Sequence, residues 1–167
     1  EEIADRLGRG EAFLKKNSKV LAGVLAAAII LIGGILFFQF NNQNQNKAAQ
    51  AEMFQAVYYF EADSLGKALN GDGNSYGFLE ITDLYSGTDA SNLSNFYIGT
   101  IYLRLQEFDN AVRYLSDFSS RDLLVQARAY SLIGDAYMEL DDFDNAADYF
   151  ARAADYKANE QYSPEYL

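Results

Sequence analysis

QEFDNAVRYL at residues 106–115 and DDFDNAADYF at 141–150 share the tetrapeptide FDNA, which starts at 108 and again 35 residues on at 143. The agreement extends outward. Around the second copy stand Tyr130, Ile133, Gly134, Tyr137, Ala146, Phe150 and Ala153; around the first, Ile98, Gly99, Tyr102, Ala111 and Leu115 occupy matching places. Apolar residues three and four apart on both sides of each FDNA predict two helices joined at that phrase. Gly99 and Gly134 in the first helix, with Ala111 and Ala146 in the second, remove bulk so that the two backbones can approach. Tyr102, Tyr137 and Phe150 then fill the wedges between helices. At the joint, Glu107 or Asp142 gives the first helix a polar exit, Phe108 or Phe143 is expected to plug back into the pair, and Asp109 or Asp144 to cap the second helix.

A helical hairpin recurring at this period, with small residues at the crossing, resembles the tetratricopeptide repeat (TPR), whose period is about 34 residues. The resemblance implies an all-α solenoid, with repeats at 92–126 and 127–160. The sequence departs from the family pattern at Asn95, where an aromatic is usual, and at Leu123 and Ala158, where Pro is common. Upstream, Ala51, Phe54, Tyr58, Ala62, Leu65 and Leu69 keep a helical rhythm, and Ala56 and Tyr59 resemble the small and aromatic positions of the repeat. From Ala56 to Gly99 is 43 residues, and NGDGNSYG at 70–77 interrupts the pattern, so 48–91 reads as a degenerate first repeat with an insertion. Residues 161–167 read as the start of a capping helix or a further repeat.

The chain of 167 residues has a formal charge of −11, half its residues are hydrophobic, and it has neither Cys nor His. That composition excludes disulfides, the usual zinc and haem ligands, and nucleophile–histidine pairs. Charge is uneven. Residues 1–19 carry five basic groups against four acidic, leaving 13 − 5 = 8 basic against 24 − 4 = 20 acidic after Phe40. A part with net charge 8 − 20 = −12 is a poor surface for nucleic acid, and none is expected as a partner.

From Val20 to Phe38 the stretch VLAGVLAAAIILIGGILFF has no charge. As a helix it spans roughly 28 Å, close to a bilayer core, so 20–40 reads as a single transmembrane helix. A signal peptide has a shorter apolar region and a cleavage site near it, whereas Ala49-Gln50-Ala51 lies far downstream. A buried helix of a soluble protein needs partners on every face, which one small domain does not supply. Lys15, Lys16 and Lys19 precede the span, and the polar linker at 41–47 has only Lys47. The positive-inside rule then puts the N-terminus in the cytoplasm and the repeat domain on the other side of the membrane; the resemblance given below implies that this is the periplasmic side of a bacterial inner membrane. Ala22, Gly23 and Ala26 offer a surface for close contact with another membrane helix. Residues 1–19, with Ile3, Leu7 and Leu14 near one face and Arg6, Arg9, Lys15 and Lys16 around it, read either as a cytoplasmic amphipathic helix at the membrane surface or as a frayed charged tail.

Asn70, Asp72 and Asn74 alternate as calcium ligands do, but Ser75 and Ile81 stand where Gly and a bidentate acid are required, so the loop reads as a connector. Asp141, Asp142 and Asp144 read as a solvated turn. No catalytic, cofactor or metal site is expected, and the chain reads as non-catalytic. A TPR stack offers instead a concave surface lined by its first helices. The resemblance implies a protein-binding groove presenting Phe96, Thr100, Leu103 and Arg104 from one repeat and Arg128, Ser131, Asp135 and Met138 from the next, suited to an extended or helical peptide.

The whole layout, with a short charged segment, AFLKKNSKVLAGVLAAAIILIGG, one span and an acidic TPR-like domain, resembles the YfgM-type ancillary subunits of the bacterial Sec translocon. That likeness implies translocon subunits, a periplasmic chaperone and secretory clients as partners. ITDLYSGTDASNLSNFYIGTIYL also looks like segments of TPR proteins of envelope assembly, which supports a rival reading, a general scaffold for an outer-membrane or surface-secretion machine.

Overall fold

A computed structural model describes residues 16–156; the expected N-terminal amphipathic segment lies almost wholly outside them, and the expected capping helix at 161–167 entirely so. Among the described residues there are seven helices and no strand: α1 Ser18–Glu61, α2 Leu65–Asn70, α3 Phe78–Leu84, α4 Asp89–Arg104, α5 Phe108–Asp117, α6 Leu123–Glu139 and α7 Phe143–Asp155. The chain divides into two units, Glu1–Asn42 and Gln43–Leu167.

The first unit holds the apolar part of α1. Its best 18-residue window has a mean hydropathy of 2.8 and none of it is buried, so the helix is long and apolar enough to cross a membrane. A helix suits that solvent because every backbone donor is satisfied within the segment. The stretch 41–47, expected to be a polar linker, is helical throughout, since it contains neither Gly nor Pro to break the helix.

Three antiparallel hairpins make the second unit, and the same joint closes each of them. The N–H groups of Ser64, Glu107 and Asp142 donate to the carbonyls of Tyr59, Tyr102 and Tyr137 at 2.8, 2.9 and 2.9 Å. One residue earlier, Asp63, Gln106 and Asp141 donate to Phe60, Leu103 and Met138, with left-handed φ of 56°, 60° and 57°. This is the usual way a helix ends before reversing, although glycine normally holds the left-handed position. The geometry locates a third joint where the sequence has no FDNA. It also aligns Ala68, which the sequence pattern missed, with Ala111 and Ala146: each lies four residues past its joint and is at most 1% exposed.

Two expectations about the joint need correction. Asp142, not Asp144, caps α7, its Oδ1 accepting the Asn145 N–H at 3.3 Å and its Oδ2 the Asn145 side-chain amide at 2.7 Å. On α5, Glu107 accepts only from the Asn110 side chain at 2.8 Å, and neither acid caps a backbone amide. Asp109 and Asp144 fall one residue inside their helices, where they face the positive end of the dipole without capping it. Phe143 is 58% exposed and plugs nothing. Asp142→Ala is therefore expected to cost about 1 kcal/mol in a thermal or urea melt, whereas Asp144→Ala stays within about 0.5 kcal/mol. The reverse ranking would restore the original cap assignment.

The insertion in the first hairpin splits its second helix into α2 and α3. Asp72 organises the loop between them: its carboxylate accepts the Tyr59 hydroxyl at 2.7 Å and the N–H groups of Asn74 and Ser75 at 2.9 and 2.8 Å. These donors, Tyr59 foremost, hold its carboxyl down to about 2. The later hairpins stack Tyr102 on Tyr114 and Tyr137 on Tyr149, both at 5.6 Å between centroids. In the first hairpin Tyr59 bonds to the inserted loop instead. Beyond the loop, Phe78 is fully buried and stacks on Tyr97 at 4.7 Å, in a core with Ile81, Ile98 and Ile101.

Candidate functional site

The helices that carry the expected groove are fixed at both ends. Thr88 caps α4 by accepting the Ser91 N–H, and Asn46 on α1 accepts the Ala90 N–H at 2.9 Å. Asp122 caps α6 through the N–H groups of Leu124 and Val125. Between them, the Asn92 side chain makes two bonds with the Ser119 backbone, donating at 2.8 Å and accepting at 3.0 Å. The Gln126 side chain accepts the Ser120 N–H at 2.6 Å. Asn92 thus holds the α5–α6 loop against α4, and Gln126 holds it against the start of α6. The Asn46 and Asn92 bonds join residues far apart in the chain, so no local sequence signal announces them.

On that frame Phe96, Thr100 and Leu103 are spaced by four and three on α4, and Arg128, Ser131, Asp135 and Met138 by three, four and three on α6, so each set shares a helix face. The two faces are not equally open. Phe96 is half-buried, with its ring 5.2 Å from Phe118, and it packs with Leu103 against the cluster of Leu115, Leu132 and Ile133. Both therefore hold the hairpins together more than they present a surface. The Thr100 hydroxyl donates to the Phe96 carbonyl, and Ser131 is buried, which makes it floor rather than wall. Arg128, Asp135 and the 45%-exposed Met138 remain open to solvent.

Arg104, the fourth residue expected in the groove from α4, is exposed and also reaches to the first hairpin. Its guanidinium lies 3.2 Å from Asp63 and 4.7 Å above the Phe60 ring, reaching back to the joint of the first hairpin. Phe60 in turn meets Tyr97 edge-on at 5.1 Å. With side chains 47% and 81% exposed, the ion pair adds little, so stacking on Phe60 is the larger part of the contact. Asp135 has its carboxyl pushed up, first by partial burial and further by Glu139, against the opposing pull of Arg128. A desolvated acid beside an arginine and a methionine can hold a cationic or amide group of a peptide next to an apolar one.

Ala22, Gly23 and Ala26, the expected membrane-helix contact, are exposed in the first unit, and no atom lies within 4 Å of where a Gly23 side chain would begin. At the ends of the helices away from the joints, a polar cleft of about 1070 Å³ runs past Thr88, Asn92, Tyr114, Ser119 and Arg121. Sequence reasoning did not find it. Among the described residues no group of three acids is placed to hold a metal ion.

Residues 127–160 match the family model described as the tetratricopeptide repeat. The third hairpin is thus a TPR, and the fold is an all-α, TPR-type hairpin solenoid preceded by a long apolar helix. No curated protein and no solved structure matches the chain.

Proposed function

We propose that this protein is a non-catalytic, membrane-anchored interaction module whose open α6 face binds a peptide segment of a protein partner. The observation that carries the proposal is the juxtaposition of exposed Arg128, Asp135 and Met138 on the first helix of a TPR hairpin, where the remaining positions from Val125 to Tyr137 are buried or half-buried. Lys15, Lys16 and Lys19 before the span support an N-terminus in the cytoplasm and a domain in the periplasm. The layout further supports an accessory role at the Sec translocon, with a periplasmic chaperone or secretory clients as occupants of the groove. The alternative, a general scaffold for envelope or outer-membrane assembly, needs the same groove but no specific contact from the span.

Two measurements test this. The chain lacks Cys, so a cysteine introduced at exposed Gln45 should react with an impermeant thiol reagent outside spheroplasts while one at Ser18 stays protected. Reversed labelling overturns the periplasmic placement. Photo-crosslinkers at Arg128 or Met138 should capture a partner that one at Glu80 does not, and crosslinkers at Leu25, Ala26 and Ile29 should reach a translocon subunit from one face of the span. If an unrelated apolar helix replaces residues 20–40 and the same partners co-purify, the scaffold reading replaces the translocon one.

A further inference from the structure

The second unit has an unfinished side. Relative to the small residue of each hairpin, the positions five and two before it and two after it are Ser94, Tyr97 and Ile101 in the second hairpin and Ala129, Leu132 and Ala136 in the third. Five of these are buried, and Tyr97 is half-buried against Phe60 and Phe78 of the preceding hairpin. The same positions in the first hairpin are Ala51, Phe54 and Tyr58, and all are exposed, Phe54 by 77% and Tyr58 by 57%. At 100° per residue they lie opposite the buried Ala49, Met53 and Ala56 of α1. They are spaced three and four, the alternation that an interhelical seam requires.

We propose that this stripe is a seam between two copies of the chain, a reading that rests on the membrane-anchored function above. Charge selects the occupant. Beyond Phe40 the chain carries eight basic against twenty acidic groups, yet Ala51, Phe54 and Tyr58 form a stripe without charge. A basic partner is drawn to the acidic faces instead, whereas a second copy meets least repulsion here. A two-fold pair needs the same stripe from each copy, and confinement of two anchored copies to one membrane raises their effective concentration. Phe54 and Tyr58 then leave water against their counterparts.

The test uses the full chain in native membranes, with single cysteines introduced by Ala51→Cys, Tyr58→Cys or, on a different face, Glu80→Cys. Mild oxidation should give a disulfide-linked homodimer for the first two and not for the third. Adding Phe54→Asp to Ala51→Cys should abolish the dimer without shifting the melting temperature, because Phe54 makes little contact within its own fold. Equal crosslinking at Glu80, no dimer at the stripe, or a stripe adduct with a different protein would each overturn the seam. Carbonate extraction of the same membranes reads the anchor separately. Release of the chain refutes anchoring, and retention without a stripe-specific dimer refutes the seam alone.

Discussion

Phe78→Ala is expected to lower the stability of the repeat unit by about 3–5 kcal/mol, a large part of the roughly 5–15 kcal/mol that a domain of this kind possesses. Phe78 is 0% exposed and its ring lies nearly parallel to that of Tyr97, at an interplanar angle of 2°. Tyr97 also meets Phe60 edge-on, and the Arg104 guanidinium lies over Phe60, so the deletion undermines one end of a run of four contacting side chains. Phe78 is also the first residue of α3, directly after the inserted loop, and its burial is what returns the chain to the hairpin. The loop before it is closely built, since a Cβ at either flanking glycine, Gly71 or Gly77, would collide with backbone. Urea melts monitored by circular dichroism in detergent give the value. A loss under about 1 kcal/mol would mean that the first hairpin is not cemented to the second through this ring.

Gly99→Leu is expected to cost about 2–4 kcal/mol through overpacking, and Gly134→Leu less. Both glycines stand where the two helices of a hairpin cross, but they face different neighbours. A Cβ at Gly99 would lie 2.5 Å from Cγ of Leu115 and 3.1 Å from the Leu115 backbone nitrogen, and Leu115 is only 1% exposed, so neither can retreat. A Cβ at Gly134 would meet only the edge of the Phe150 ring, at 2.8 Å. That ring is half-buried and has room to turn aside. Thermal melts of the two variants rank them, and equal small losses would refute the close crossing as the reason for glycine.

What the sequence revealed and what it hid follow from the range of the interactions concerned. The second and third hairpins were legible because their period keeps small and aromatic residues in register, and those types report directly on helix crossing. The first hairpin was half-legible: Ala56, Tyr59 and Ala68 all kept the register, but no FDNA marks the joint before Ala68, and its helix breaks off at the inserted loop two residues on. The joints carried no glycine at their left-handed positions, so their shared geometry had no signature in residue type. With acids on both sides of each phenylalanine, residue type alone did not single out the cap; the hydrogen bonds give it to Asp142 on α7 and to neither acid on α5. Helical spacing put Phe96 and Leu103 on one face of α4 and Ser131 on a face of α6. It could not say how far the packing of the hairpins would bury them, because that depends on contacts between residues distant in the chain, such as Asn92 with Ser119.

The broken second helix of the first hairpin also bears on how such a protein can change. Its two halves keep their places in the core, Ala68 and Leu69 on one side and Phe78 and Ile81 on the other, although a loop has been spliced between them. Each hairpin touches chiefly its neighbours, so a local gain of chain need not propagate along the stack. At the outer end of the loop Gly73 has a φ of 88° and open space around it, while Asp72 and Tyr59 staple the base. The loop is thus a ready grafting point, where a reporter or an affinity peptide can be inserted with the staple left intact and the groove on α6 untouched.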